Sequence, residues 1–114
     1  MHRRSLLGFA ATALAAQALA DEAKPLRLVL PFPAGGATDA IARVIAPGLS
    51  ERLGQSVIID NRPGAGGIPA AEAVVRSAPD GLTLLFTTSS THSTGPAVTP
   101  RLPYDVVSDF TPVA

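Results

Sequence analysis

The 114-residue sequence has no cysteine and no tryptophan, five aromatic residues in all, and no excess of either charge, nine Lys or Arg balancing nine Asp or Glu. Without thiols, a disulfide framework and lipid attachment through an N-terminal Cys are both excluded. Two histidines, one of them at position 2, leave no cluster to hold a metal. No stripe of Lys and Arg with interleaved aromatics occurs, so nucleic acid is not among the expected partners. What is present, 46% hydrophobic and 16% charged residues, is the composition of one globular domain at most.

The first twenty residues, MHRRSLLGFAATALAAQALA, place Arg3 and Arg4 ahead of an apolar run from Leu6 to Ala16 and end on Ala18 and Ala20 flanking Leu19. This is the pattern of a secretory signal peptide, with cleavage expected between Ala20 and Asp21. The apolar run falls short of the roughly 20 residues that a membrane-spanning helix needs. The paired arginines fit a twin-arginine signal only loosely, which favours the general secretory route. Removal of Arg3 and Arg4 leaves seven basic against nine acidic residues, a formal charge of −2.

Three runs beyond the leader are apolar and β-prone: LRLVLPF (26–32), SVIID (56–60) and LTLLFTT (82–88). Such runs suit strands buried on both faces, as in a parallel sheet. Between the first two, Ile41, Val44, Ile45, Leu49 and Leu53 fall three or four residues apart and form one stripe of a helix. Thr38 or Ala37 is its expected N-cap, Asp39 sits in its positive first turn, and Gly54 is its stop. Pro47 and Gly48 interrupt it, which predicts a kink or two shorter helices, because an interior Pro costs about 3 kcal/mol. A second helix is expected over 68–78, with Pro69 in its first turn and Ala71, Val74, Val75 and Ala78 facing inward; the PDG at 79–81 then turns the chain into the third strand. Right-handed crossovers make the order strand, helix, strand, helix, strand an open α/β sheet. With the first strand in the centre, a helix lies on each face and a crevice opens at the carboxyl ends of strands one and three.

The segments reaching that crevice are PAGGATD, SSTHSTG and, from the neighbouring edge, NRPGAGG. Gly35 and Gly36 permit close approach to a main chain that runs into a helix start, where unpaired N–H groups and the helix dipole favour a carboxylate or phosphate. A tight turn with no ligand explains the same residues equally well. NRPGAGG is not a nucleotide loop: Gly67 is followed by Ile68 rather than Lys and Ser or Thr, and Pro69 stands where a dinucleotide fingerprint needs Gly or Ala. Ser89, Ser90 or Thr91 beside His92 raises the alternative of a small exported serine-type α/β hydrolase, although no G-x-S-x-G elbow is present. A third reading is an interaction module that uses the open sheet. Arg62 is expected to be solvated or locally bonded, and Tyr104 and Phe110 to pack beneath a connection.

The stretches RLVLPFPAGGATDAIAR, LSERLGQSVIIDNRPGAGGIPAAEAVVRSAPDGLTLL, TTSSTH and LPYDVVSDFTPVA, taken in order, closely resemble the Bug family, the solute-binding receptors of tripartite tricarboxylate transporters. The likeness runs from about Pro25 to Ala114. It implies an α/β fold: the βαβαβ parallel-sheet portion of the first lobe of a type II-like periplasmic binding protein, with residues 1–20 a signal peptide and 21–114 the N-terminal part of that lobe. It also implies a non-catalytic periplasmic receptor, with no metal or cofactor, that captures a small carboxylate (a di- or tricarboxylate, an acidic amino acid or an aromatic acid) and delivers it to two integral membrane subunits. By position, the ligand-lining residues it implies are Phe32, Ala34, Gly35, Gly36, Thr38 and Asp39 of the first loop, Ala65 and Gly66 of the second, and Ser89, Ser90, Thr91 and His92 of the third. Asp39 is expected to accept N–H bonds or hold bridging water rather than face an anion. Family members run about three times as long, the size of a two-domain chain, so the sequence is expected to be a fragment that lacks the second lobe and does not bind ligand alone.

Overall fold

A computed structural model describes residues 24–114; the leader expected at 1–20 and its cleavage site lie outside the described residues. Strand β1 (Leu26–Leu30) leads into helix α1 (Ala37–Leu53), strand β2 (Val57–Asn61), a 3-10 turn (Ala65–Gly67) and helix α2 (Ile68–Val75). Strand β3 (Thr83–Leu85), a π-helical turn (Ser90–Thr94) and the short helix α3 (Gly95–Val98) follow. The sheet is parallel throughout, in the order β2-β1-β3, with Leu28 beside both Ile59 and Leu84. The central first strand and the α/β class agree with the sequence reading.

Alternation along β1 divides the core between two faces. Leu28 and Leu30 point to the α1 side, where they meet Ala42 and are flanked by Val57, Ile59, Leu84 and Phe86. Val29 serves the other face, where Ala70 and Ala71 of α2 are buried. Val29 and Leu30 are fully buried, and each such side chain contributes about 1.5–3 kcal/mol relative to exposure. The strands are shorter than the apolar runs. Pro31 has no N–H to continue β1, and β3 makes one further backbone bond, Phe86 N–H to Val29 O at 2.9 Å, before it diverges.

Helix α1 departs from the reading in three ways. Of the kink or two shorter helices expected, two helices do not form: it runs as one helix through Pro47 and Gly48, both exposed, so the Arg43 carbonyl that Pro47 leaves without a helical partner belongs to a turn where water is at hand. Its N-cap is Gly36 rather than Thr38 or Ala37, with no side chain capping the first amides; the carboxylate of Asp39, at the third helical position, reaches back past the cap to the Gly35 N–H. Its apolar stripe also does not face the sheet: Ile41, Val44, Ile45 and Leu53 are exposed, while Asp39 and Ala42 are the buried residues. Small Ala42 lets the helix approach the strands closely, and the hydrogen bonds of Asp39 fix the rotation. The stop at Gly54 (φ 64°) is where it was expected.

Helix α2 ends three residues early, where the Ser77 hydroxyl donates to Val74 O at 2.6 Å. Its inward face accordingly shifts to Ala70 and Ala71, with Val74 and Val75 half-buried and Ala78 exposed. The PDG turn forms as expected, with Asp80 Oδ1 accepting the Leu82 N–H at 3.0 Å. Tyr104 and Phe110 pack edge to face, with ring centroids 5.8 Å apart.

Candidate functional site

The carboxyl ends of the three strands carry the three loops singled out above. In the first, Gly36 N–H donates to Pro33 O and the first helical bond is Ala40 N–H to Gly36 O at 2.9 Å. The N–H groups of Ala37, Thr38 and Asp39 meet no backbone acceptor among the described residues; Asp39 is buried, so the two amides of Ala37 and Thr38, at the start of a 17-residue helix, are open to an acceptor from outside. Thr38 is half-buried beside them, while Ala34 and Gly35 are exposed.

Asp39 lies beneath this loop and is the one buried charged residue among those described, 2% exposed. Its Oδ2 accepts from Arg43 Nε at 2.8 Å and from Gly35 N–H at 2.9 Å, and its Oδ1 accepts from Asn61 Nδ2 at 3.0 Å. The Arg43 bond foremost, then the Gly35 and Asn61 bonds, lower its carboxyl from 3.8 to about 2. Asp39 is therefore ionised at neutral pH and its oxygens are occupied by N–H donors, the first of the two roles expected for it. Asn61 Nδ2 also donates to Phe32 O at 3.2 Å, which ties the end of β2 to the start of the first loop.

The second loop is pressed against the other two. Gly67 (φ 86°) has no room for a side chain: a Cβ there would collide with the γ-methyl of Thr91 and lie 3.1 Å from Cβ of Pro31. Ala65 holds a left-handed φ of 48°, a conformation that costs a non-glycine residue energy and is concentrated at functional sites. Ala65, Gly66, Ser90 and Thr91 line a cavity of about 270 Å³ whose remaining wall is mostly apolar, from Ile68, Pro96, Val98, Leu102 and Tyr104, with Gly95 and the polar Thr99 completing it. Burial, with the negative charge of Glu72 nearby, pushes the Tyr104 hydroxyl up.

The sequence-derived residues thus form two neighbouring groups. Phe32, Ala34, Gly35, Gly36, Thr38 and Asp39 surround the start of α1; Ala65, Gly66, Ser90 and Thr91 share the cavity, and the Pro31, Gly67 and Thr91 contact joins the two. Ser89 is exposed outside the cavity, and His92 turns away from it: Nε2 lies 3.0 Å from Val106 O, and the ring meets Phe110 edge to face at 5.0 Å. Ser90 Oγ pairs with Thr88 Oγ1 at 2.7 Å and His92 Nε2 lies against Val106 O, so among the described residues no serine hydroxyl is bonded to His92 and the nucleophile and base of a hydrolase are not assembled. The loop read from 87 to 95 is helical from Ser90 onward. Arg62 is locally bonded, Nε to Asp60 Oδ2 at 3.1 Å. Sequence reasoning missed Asn61 and Arg43; an Asn directly after a strand pattern and an Arg four residues beyond an acidic helix start were the available signals. Among the described residues no group of three or more His, Asp or Glu could hold a metal ion.

Residues 41–114 match the family described as Tripartite tricarboxylate transporter family receptor. BugT of Bordetella pertussis is 46% identical over 110 residues, which cover 93% of this chain and 34% of BugT. MatC from Rhodopseudomonas palustris, solved with bound malate, superposes with a TM-score of 0.69 at 41% identity over 78% of this chain and 30% of that one. The R. palustris protein Rpa4515, solved with adipate, gives 0.67 at 44% identity over 72% and 27%. The chain therefore spans about a third of the length of the relatives it matches. Family match, sequence identity and structural likeness agree on one assignment: the chain belongs to the tripartite tricarboxylate transporter receptor family, whose members are solute receptors rather than enzymes.

Proposed function

We propose that this chain forms one wall of a carboxylate-binding cleft in a periplasmic receptor that serves a tripartite transporter. The observation that carries the reading is the open helix start: the N–H groups of Ala37 and Thr38 lie at the carboxyl end of the sheet, where a ligand carboxylate completes their hydrogen bonding. The malate and adipate held by two relatives of this fold support the same ligand chemistry. The first loop, from Phe32 to Asp39, receives the carboxylate through main-chain groups, and Thr38 adds a hydroxyl. Ala65, Gly66, Ser90 and Thr91 flank the body of the solute, and Ser89 and His92 stand at the edge of the third loop. The receptor is exported after cleavage near Ala20 and hands its solute to two integral membrane subunits. No covalent step is involved, and no metal or cofactor is required.

The test is calorimetric. The full chain, continued by the part of BugT that lies beyond its match, is expressed for export and titrated with malate, adipate, aspartate and benzoate. Saturable binding of at least one acid is expected, together with a mature N-terminus at Asp21. A folded product that binds none of the four refutes the assignment.

A further inference from the structure

Asn61 is the last residue of β2, where the chain enters the second loop, yet its side chain crosses to the first. Nδ2 donates to Phe32 O and to Asp39 Oδ1, at 3.2 and 3.0 Å. Both partners are oxygens that only accept, so the orientation of the amide is set by its surroundings. Asp39 passes the constraint on, holding the Gly35 N–H with its other oxygen. One amide thus grips the beginning and the end of the first loop, and through Asp39 its middle. Within the loop the Gly36 N–H also bonds Pro33 O at 3.3 Å, while at Gly35 a Cβ would meet nothing within 4 Å, so no side-chain packing holds that residue. Arg43 balances the buried carboxylate, so the open amides of Ala37 and Thr38 meet an anion without an unpaired negative charge beneath them.

We propose that Asn61 is a positioning residue for carboxylate capture, setting the angle of the first loop's amides against the second loop. The inference rests on the capture reading above. A merely structural role predicts lower stability with unchanged affinity of the folded protein, whereas a positioning role predicts that affinity itself falls.

The same continued chain is titrated with the four acids beside Asn61→Ala and Asn61→Asp, and exchange of the Gly35 amide is followed by NMR. Asn61→Ala is expected to weaken binding about tenfold or more, the range for hydrogen bonds to a charged group, and to speed Gly35 exchange. In Asn61→Asp two carboxylates face each other, and one takes up a proton more readily. Arg43 is the charged group that faces them from α1; Asp60, its neighbour on β2, points to the opposite face, where it pairs with Arg27 and Arg62. The ratio of parent to Asn61→Asp affinity, from which the ligand's own titration cancels, should therefore fall as pH is lowered from 7.5 to 5. Asn61→Ala binding within about twofold of the parent, or a ratio that stays constant with pH, overturns the inference while the parent's binding leaves the capture reading intact. A parent that binds no acid overturns both. Should Asn61→Ala not fold, the pH dependence of the Asn61→Asp ratio decides.

Discussion

Gly35 and Gly67 share a φ of 86°, and the difference between them measures how tightly the three loops are pressed together. Replacing either by Ala places an L-residue in the left-handed region, at a cost of about 1–2 kcal/mol. At Gly35 the new methyl group enters open space and the cost ends there. At Gly67 it strikes the Thr91 γ-methyl and crowds Pro31, and overpacking of this kind adds about 1–3 kcal/mol. Gly67→Ala should therefore be less stable than Gly35→Ala by about 1–3 kcal/mol, and a domain of this size loses about 4–8 °C per kcal/mol. The assay is thermal and urea unfolding of the two variants, repeated in a Thr91→Ala background, which removes the struck methyl and should restore most of the difference. Equal stability of the two glycine variants, or a Gly67→Ala penalty that Thr91→Ala leaves unchanged, would refute the claim that this contact joins the loops.

Asp39 has a folded pKa of about 2 against an ordinary 3.8, so its contribution to stability is complete above the unfolded value and is lost as pH falls through the folded one. Unfolding midpoints measured between pH 2 and 5 should drop less steeply in Asp39→Asn than in the parent; Asp105, held low by the Ser108 and Val107 N–H groups, acts in the same direction and needs its own Asp105→Asn control. Curves of identical steepness for Asp39→Asn and the parent would contradict the burial of an ionised carboxylate. Pro47→Ala restores an N–H opposite the Arg43 carbonyl in the middle of α1 and should raise stability by about 1–3 kcal/mol; denaturant unfolding that shows no gain would mean the helix depends on the ring. Arg27 buries an Nε that meets no partner, offsetting part of what its 2.8 Å ion pair with Asp60 contributes, so Arg27→Met should leave stability within about 1 kcal/mol of the parent. A loss beyond about 2 kcal/mol would show that the half-exposed pair is worth more than its exposure allows.

The strands and the loops at one end were legible because the signals are local: runs such as LRLVL and LTLL are apolar but for Arg27 and Thr83, the near-continuous pattern of strands covered on both faces. The rotation of α1 was not legible. Hydropathy selects the stripe through Ile41, Val44 and Ile45 as the buried face, yet the helix turns Asp39 and Ala42 toward the sheet and leaves that stripe exposed. The deciding contact is polar and distant, from an Asn 22 residues further along the chain. A periodic pattern weighs how much apolar surface each side of a helix carries, whereas the angle of α1 is set at its first turn, where the Asp39 carboxylate must satisfy Gly35, Arg43 and Asn61 together. Each further residue adds about 100°, so Ala42, three positions on, falls beneath Asp39 and packs on Leu28 and Leu30. The residues that aim the open amides therefore also orient the helix, and site and fold share one set of hydrogen bonds that no single stretch of sequence contains.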